Sequence, residues 1–307
     1  MSKKTLYILG IILTAIIGAI LNWLFCCPSG GEANIKTKSK IAAPAVVPAI
    51  PKPTKNGLVF NDTSGDFNFR SNDNFNFNSS SFNILKPITG NLNEGIAKLK
   101  SYFDANPTKT IDVIGHYKSS EKNLSAFPNL GIARANSVKN YLVEQGLSSK
   151  NINLLSKLNN DLVPGNNIHY GPVTYNITTD AVDHSDELAK LRADIIANPL
   201  ILYFNTAASN LSLSSSQRDK MQKISTYLDK VDGGKVNSIG HTDNTGDPAK
   251  NVSLSLARAK TVKAYLVQNG INSNKIYTSG LGSQKPIATN GTAEGRAKNR
   301  RVEVTLK

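Results

Sequence analysis

An acid and a base fifteen positions apart are the residues of this chain best suited to bind a charged ligand. Asp243 lies in the turn-like run GHTDNTG, and Arg258 lies in the helix-like run LSLARA. Residues four apart share one helix face, which places Arg258 in a row with the aliphatic side chains Leu254, Val262 and Leu266. An unpaired buried charge costs about 3–5 kcal/mol, so this arginine requires a carboxylate partner.

Two interpretations of this pair stay open from the spacing alone. In one, Asp243 and Arg258 form a structural salt bridge, which is strong when it is bidentate and planar. In the other, the two charges converge on a pocket and bind a ligand that carries both an ammonium and a carboxylate. Ser253 or Ser255 is expected to cap the helix, and the free backbone N–H groups at that end would also favour an anion.

Composition narrows the classes of function. The chain has 307 residues, enough for two domains of ordinary size, and its 39% hydrophobic content does not fit a wholly membrane-embedded protein. A formal net charge of +14 suits an anionic partner such as a polymer, a lipid headgroup or nucleic acid. Aromatic residues are not interleaved with Lys and Arg as a nucleic-acid stacking platform requires, so we expect no nucleic-acid partner.

The N-terminal residues are expected to anchor the chain in a membrane. Residues 5–27 carry no charge, and a helix of that length spans a hydrocarbon core of about 30 Å. We therefore assign residues 1–27 to a single transmembrane anchor. Lysines on both sides of the span leave its orientation open, and the bulky Phe25 disfavours lipid acylation of Cys26.

Residues 28–57 are expected to form a Pro/Lys-rich linker. Its prolines are Pro28, Pro44, Pro48, Pro51 and Pro53. If the chain there is extended at about 3.1 Å per residue, the linker reaches on the order of 80–90 Å. Such a tether would let a membrane-anchored domain search well away from the bilayer.

The rest of the chain is an internal duplication. The run ARANSVKNYLVEQG at 133–146 matches ARAKTVKAYLVQNG at 257–270 at an offset of 124. Each copy has the pattern strand, helix, strand, loop, helix and two strands, which predicts an α/β sandwich with helices on one face of the sheet. In the second copy we expect these elements near 200–206, 214–230, 235–240, 254–269, 275–280 and 301–306.

The duplication also sets the expected domain bounds, which are 58–180 for the first copy, 181–199 for a joining helix and 200–307 for the second copy. Residues 62–83 are rich in Asn, Phe and Ser, which is typical of a prion-like tract. The match of Phe77-Asn78 to Phe204-Asn205 favours the alternative, in which this segment contains the first strand of the first copy.

No group of residues predicts an enzyme or a cofactor. His241 near Asp243 could suggest acid–base catalysis, but His116 holds the same place in a copy without the acid. Both histidines are therefore expected to be scaffold groups, hydrogen-bonded at the strand ends. No Ser or Cys nucleophile, metal-ligand spacing or phosphate-loop pattern is recognisable, so we expect a non-enzymatic protein without metal or cofactor.

Residues 200–307 resemble the OmpA-like C-terminal domain, the peptidoglycan-associated module of bacterial envelopes. The matching runs are GHTDNTG, LSLARA, PIA and GRAKNRRVEV, together with Asn251, Tyr265-Leu266, Gly270-Ile271 and Gly280. The resemblance implies a βαβαββ fold that binds the peptidoglycan stem peptide without cleaving it. It implies that the zwitterionic end of diaminopimelate lies between Asp243, for the ammonium, and Arg258, for the carboxylate. Thr242, Asn251 and Arg300 fall on pocket positions, whereas Phe204-Asn205 departs from the family's usual Phe-Asp.

The first copy departs further from this pattern. Lys118 stands where the acid should be, Arg134 follows sixteen positions later, and the last strand lacks an Asn-Arg-Arg run. A lysine cannot accept a hydrogen bond from an ammonium, so this copy is not expected to bind the same ligand. Glu121 is an alternative acid, but we expect the copy to be a spacer or a partner surface on a retained scaffold.

The sequence thus favours a membrane-tethered protein that anchors a membrane to peptidoglycan. By analogy its bulk lies in the periplasm, and a helical span favours the inner over the outer membrane. An ion-driven stator-like subunit is one alternative, but it needs a protonatable carboxylate in the span, and residues 5–27 have none. A basic module that binds a lipid or nucleic-acid surface is another, and self-association into a homo-oligomer is left open.

Overall fold

The computed structural model describes residues 14, 16–17, 52–65, 67–179, 184–204, 211 and 213–307. Thr14, Ile16 and Ile17 are helical, while the rest of the expected anchor, Cys26 and the linker through residue 51 lie outside the described residues. In the described part of the chain, no helix is both long and apolar enough to cross a membrane. Contacts divide the chain into Met1–Ala49 and Ile50–Lys307, and the second unit holds both copies of the duplication.

The first copy is built around one central strand. In chain order its elements are β1 (Leu58–Asn61), β2 (Asn68–Ser71), β3 (Asn76–Asn78), α1 (Gly90–Ala105), β4 (Lys109–Tyr117), α2 (Leu130–Glu144), β5 (Ile152–Leu158), β6 (Ile168–Tyr170) and β7 (Val173–Thr179). The sheet order is β5-β4-β7, with β4 parallel to β5 and antiparallel to β7. β3 pairs with β6, and β1 and β2 form an antiparallel hairpin.

The Asn/Phe/Ser-rich segment at 62–83 is part of this fold. It contains β2 and β3, and the side chains of Phe75 and Phe77 are fully buried in the core of the first copy. Burial of two aromatic side chains removes a large apolar area from water, which favours a fixed conformation. The segment therefore forms strands and not a prion-like tract, although the first strand of the copy, β1, lies before it.

Residues 52–57 also belong to the first copy, although they were expected in the linker. The N–H of Thr54 donates to the carbonyl oxygen of Val163 at 2.9 Å, and the ammonium of Lys55 lies 5.4 Å from the centre of the Tyr170 ring. These contacts satisfy backbone groups and place a cation over an aromatic face. The composition of the segment, with its proline and lysines, did not predict them.

The second copy repeats the pattern after a helix, α3 (Ser185–Ala197), that lies between the copies. Its elements are β8 (Leu200–Tyr203), α4 (Ser215–Lys230), β9 (Val236–Gly240), α5 (Pro248–Gln268), β10 (Ile276–Gly280), α6 (Ala293–Asn299) and β11 (Arg301–Leu306). The sheet order is β10-β9-β11-β8, with β9 parallel to β10 and β11 antiparallel to both of its neighbours. The predicted α/β class with two tandem copies is confirmed.

Helix α5 begins earlier than the sequence predicted, which moves its cap and its buried face. Asp247 is the N-cap and accepts a hydrogen bond from the N–H of Lys250 at 2.8 Å, so neither Ser253 nor Ser255 caps the helix. The buried face consists of Asn251, Ser255, Ala259, Val262 and Leu266. Leu254 is 47% exposed, and Arg258 therefore lies at the edge of the buried face and not at its centre.

Helix α6 was not predicted. Its sequence AEGRAKN has no apolar periodicity, so nothing in the pattern indicates a helix. The helix is stabilised at its start by Thr292, whose hydroxyl oxygen accepts a hydrogen bond from the N–H of Gly295 at 3.1 Å. It ends at Asn299, and Arg300 then joins it to Arg301, the first residue of β11.

The two copies contact each other through polar groups. The side chain of Asn269 accepts a hydrogen bond from the N–H of Ala126 at 2.8 Å, and its backbone oxygen accepts one from the side chain of Asn136 at 3.1 Å. A buried ion pair of 2.6 Å joins Lys139 of the first copy to Asp229 of the second. These bonds fix the two copies in one arrangement.

Candidate ligand-binding site

The loop that carries Asp243 follows β9 and lies against α5. The N–H of His241 donates to the carbonyl oxygen of Arg301 at 2.8 Å, which continues the sheet into the loop. A side chain at Gly240 would place a Cβ 1.9 Å from the carbonyl oxygen of Ser255 on α5. Glycine is required there because only a residue without a Cβ allows the strand end and the helix to approach so closely.

Asp243 forms an ion pair with Arg300. One carboxylate oxygen accepts a hydrogen bond from Nη1 of Arg300 at 2.8 Å, and the other accepts one from the N–H of Thr245 at 3.0 Å. Burial raises the pKa of Asp243, but these hydrogen bonds and the charge of Arg300 outweigh it and lower the pKa below the ordinary value. Asp243 is therefore ionised at neutral pH, and its side chain remains 13% exposed.

Arg258 is half-buried, and part of its guanidinium lacks an acceptor among the residues that the structure describes. Its guanidinium carbon lies 5.5 Å from the centre of the Phe204 ring. Nη1 of Arg258 is buried and has no hydrogen-bond partner among the described residues. Burial lowers the pKa of Arg258, the charge of Arg300 lowers it further, and the charge of Asp243 raises it.

The simple salt bridge between Asp243 and Arg258 is therefore not present in the described part of the chain. Arg300 takes the acid instead, from the end of α6 that the sequence did not predict. Two guanidiniums and one carboxylate then share a small region, which leaves one positive charge in excess. Like charges that repel one another favour an anion between them.

The other residues that the sequence placed at the pocket, Asn251 and Thr242, have different surroundings. The side-chain amide of Asn251 donates to the carbonyl oxygen of Thr245 at 3.0 Å and so holds the loop that carries the acid. Thr242 is buried, its N–H donates to Gly282 O at 2.9 Å, and its hydroxyl has no partner among the described residues. Asn205, where the sequence departs from the family pattern, lies outside the described residues.

The two histidines differ from each other. Nε2 of His116 shares a hydrogen bond of 2.9 Å with the hydroxyl of Thr174, as expected for a scaffold group. Neither ring nitrogen of His241 has a hydrogen-bond partner within the described residues, so the expectation is wrong for this side chain. Burial lowers the pKa of His241, and the charge of Arg301 adds to the effect, so its ring is neutral at pH 7.

The first copy places different groups at the corresponding position. Lys118, which replaces the acid, donates from its ammonium to the carbonyl oxygen of Leu162 at 2.6 Å. Glu121 forms an ion pair of 2.6 Å with Arg134, and the side chains of both are almost completely buried, at 4% and 0% exposure. The alternative acid of the sequence analysis is thus the partner of the arginine.

Sequence reasoning missed the aromatic surface under each arginine. Phe204 lies under Arg258, and Phe77 lies under Arg134 at the same distance of 5.5 Å. The signal was available, because these two phenylalanines are matched by the duplication. No group of three His, Cys, Asp or Glu side chains is placed to hold a metal in the ranges that the structure describes.

Comparison with known proteins identifies relatives of this chain. The chain is 44% identical over 95 residues to outer membrane protein A of Bordetella avium, which covers 31% of this chain and 49% of that protein. It is 44% identical over 95 residues to the peptidoglycan-binding protein ArfA of Mycobacterium tuberculosis, covering 31% and 29% of the two lengths. The chain thus spans about half or less of these relatives.

Part of this chain is also similar to a solved structure. The peptidoglycan-associated lipoprotein from Burkholderia pseudomallei matches with a TM-score of 0.31 and 23% identity, over 35% of this chain and 89% of that one. The family model described as OmpA family matches twice, at residues 75–169 and 203–300, which together make up more than half of the chain. The protein therefore belongs to the OmpA family, with one family domain in each copy.

Proposed function

We propose that this chain is a non-enzymatic envelope protein that binds peptidoglycan through its second copy. In this proposal the ligand is the zwitterionic end of a diaminopimelate residue in the stem peptide. Its carboxylate contacts Arg258, and its ammonium contacts Asp243. Membership of the OmpA family and similarity to a relative named as a peptidoglycan-binding protein support the assignment.

The unfilled hydrogen-bonding capacity of Arg258 carries the proposal. Its Nη1 is buried without an acceptor in the described part of the chain, although a buried donor left unpaired costs about 1–3 kcal/mol or more. A ligand carboxylate would supply the missing acceptors, and the guanidinium fork matches a carboxylate in a bidentate contact. The nearby charge of Arg300 would attract the same anion.

Asp243 keeps capacity for the ammonium although Arg300 already binds it. Its oxygens accept hydrogen bonds from Arg300 and from the N–H of Thr245, and each carboxylate oxygen has two lone pairs. The lowered pKa keeps this group charged at neutral pH. Arg300 then positions the acid, Asn251 holds its loop, and Thr242 offers a buried hydroxyl beside it.

The rest of the proposal concerns location. Residues 1–27 would anchor the chain in a membrane, with the inner membrane favoured, and the proline-containing linker would carry the two copies into the periplasm. The relatives include an outer membrane protein, which agrees with an envelope location. Anchor and wall-binding site on one chain would hold the membrane to the wall without covalent chemistry.

Sedimentation with purified peptidoglycan tests the site. Full-length protein in detergent is expected to pellet with the wall material, and Asp243→Ala and Arg258→Ala are each expected to abolish this. The matched control is Lys260→Ala, which removes an exposed cation two residues away on the same helix. It should leave sedimentation unchanged.

The variants must also be shown to be folded. Thermal unfolding followed by circular dichroism should give each variant a single transition close to that of the parent protein. If both folded variants still pellet as well as the parent protein, the assigned pocket is wrong. If the Lys260 variant loses sedimentation as well, binding depends on general positive charge and not on the site.

A further inference from the structure

We propose that the first copy keeps a carboxylate-binding site at Arg134, and that the chain fills it with its own Glu121. Glu121 is then a built-in ligand, and the first copy is a filled form of the site that is unfilled in the second. The parallel with the second copy rests on the proposed function. The site around Glu121 stands on its own geometry.

Both oxygens of Glu121 are surrounded by donors. Oε1 accepts hydrogen bonds from Nη2 of Arg134 at 2.6 Å and from the N–H of Ser80 at 2.9 Å, and Nε2 of His169 lies 3.3 Å away. Oε2 accepts from Nη1 of Arg134 at 3.1 Å and from the N–H of Lys118 at 2.9 Å. Burial raises the pKa of Glu121, but the bonds from His169 and Arg134 outweigh it and hold the pKa well below the ordinary value.

The donors come from separate parts of the fold, so the site is preformed by the scaffold. Arg134 lies on α2, His169 on β6, and Ser80 follows β3. The guanidinium is held independently of the carboxylate, because Nε donates to the carbonyl oxygen of Ser81 at 3.1 Å and Nη1 to that of His116 at 2.9 Å. A preorganised set of donors of this kind binds a carboxylate whichever molecule supplies it.

The position of Arg134 corresponds to that of Arg258. Each guanidinium carbon lies 5.5 Å from the centre of a phenylalanine ring, Phe77 in the first copy and Phe204 in the second. Phe77 pairs with His169 across the sheet, and the N–H of Phe204 donates to Arg300 O at 3.1 Å. His169 therefore has the position in the first copy that Arg300 has in the second copy, where Arg300 binds the acid.

The loop at 118–129 delivers Glu121 and holds it in place. The N–H of Lys122 donates to the hydroxyl of Ser80 at 3.0 Å, and both the N–H and the hydroxyl of Ser119 donate to the side chain of Asn160. These bonds on both sides of Glu121 keep the loop closed over the arginine. The site is filled in the native chain.

The donor set defines the class of ligand that an emptied site would take. Arg134, His169 and two backbone N–H groups all donate, and Lys118 replaces the acid that would bind an ammonium. A simple monocarboxylate such as acetate fits this set. A zwitterionic amino acid does not, because its ammonium would find donors where it needs an acceptor.

Chemical rescue tests the proposal on the full-length protein. Glu121→Ala removes the carboxylate and leaves space for a small acid. Its melting temperature is expected to fall well below that of the parent protein in sodium chloride. It should then rise by several degrees, in a saturable manner, as chloride is replaced by acetate at constant ionic strength, because a ligand that binds only the folded state stabilises it. Glycine at the same concentration should give a smaller rise.

Two control variants make the result specific. Glu121→Gln keeps the volume of the side chain, so acetate cannot enter, and its melting temperature should not respond to acetate. Glu144→Ala removes an exposed acid at the end of α2 and should behave as the parent protein in both salts. If Glu121→Ala is unfolded in chloride, recovery of its circular dichroism spectrum in acetate but not in chloride is the expected result.

Equal behaviour of Glu121→Ala in acetate and chloride would overturn the proposal. So would an equal response to acetate in the parent protein and in Glu121→Gln. The experiment contains no peptidoglycan, so its failure is separate from failure of the proposed function. Combining Glu121→Ala with Asp243→Ala should leave the acetate response unchanged, even though wall sedimentation is lost.

Discussion

The two copies present the same arginine in opposite states. In the first copy, α2 begins at Leu130, four residues before Arg134, and the preceding loop runs over the arginine. In the second copy, α5 begins at Pro248, ten residues before Arg258, and the loop is short. A longer helix therefore replaces the loop segment that carries Glu121. The length of the helix therefore decides whether a loop carboxylate reaches the guanidinium.

The strands around the arginine differ as well. His169 lies four residues before Val173, whereas Arg300 lies two before the corresponding Val302. The first copy accommodates its two additional residues at Gly171, whose φ of +62° is in the region that favours glycine. Gly171 and Pro172 separate β6 from β7, and Nε2 of His169 lies 3.3 Å from Oε1 of Glu121.

The two copies also differ in how well the hydrogen bonds of their buried charges are satisfied. A buried ion pair is stable only when its remaining hydrogen bonds are satisfied, because removing two charges from water is costly. The first copy meets this condition with donors from four segments. The second copy leaves Nη1 of Arg258 without an acceptor in the described residues, so part of its binding capacity is unused in the free protein.

The largest expected difference between the copies is in stability. Arg134→Ala leaves Glu121 buried without its partner and is expected to lower the free energy of unfolding by about 3–5 kcal/mol. Arg258→Ala removes a repelled cation and should change it by less than about 1 kcal/mol. Urea unfolding of the two variants measures both values. Equal losses of stability would contradict the distinction between a filled and an unfilled site.

The pH dependence of stability should distinguish the two acids. The folded pKa of Glu121 is lowered from 4.5, so its contribution is fully present above that pH and is lost as the pH falls toward the folded pKa. Glu121→Gln should therefore flatten the acid limb of a plot of melting temperature against pH. Asp243→Asn should flatten it less, because Asp243 is more exposed. A larger effect at Asp243 would contradict the comparison.

Arg258→Lys sharpens the binding side of the comparison. Lysine keeps the charge but loses the planar fork, so peptidoglycan binding is expected to weaken about tenfold, or about 1.4 kcal/mol. A titration of the full-length protein with wall fragments measures the change. Arg134→Lys serves as the matched substitution in the first copy and should leave wall binding unchanged in the folded fraction. Loss of wall binding in Arg134→Lys would show that the first copy also binds a wall ligand.

Removal of the helix caps is expected to have the smallest effect on stability, and nearly the same effect in both copies. Asn129 caps α2 by accepting from the N–H of Ile132 at 2.9 Å, and Asp247 caps α5 in the same way. Replacing either by alanine should cost about 1 kcal/mol of stability. Thermal unfolding tests this. A cost several times greater at Asp247 would show that the extended start of α5 supports the second copy more than its cap alone explains.

Local pattern was sufficient for much of the architecture. The repeat at 133–146 and 257–270 revealed two copies, and alternating strand and helix signals gave the α/β class. These features depend on short-range periodicity, which a sequence displays directly. The start of α5 was missed because its first turns carry few apolar residues, and α6 was missed because it is short and charged.

The sequence by itself determined which side chains are available: an acid and an arginine in the second copy, and a lysine, a glutamate and an arginine in the first. Only the tertiary structure decided the pairing, with Arg300 on Asp243 and Glu121 on Arg134. The physical reason is that pairing of charges depends on loop length and on contacts between distant segments. Arg300 lies 57 residues from the acid that it binds, and no local pattern specifies such a contact.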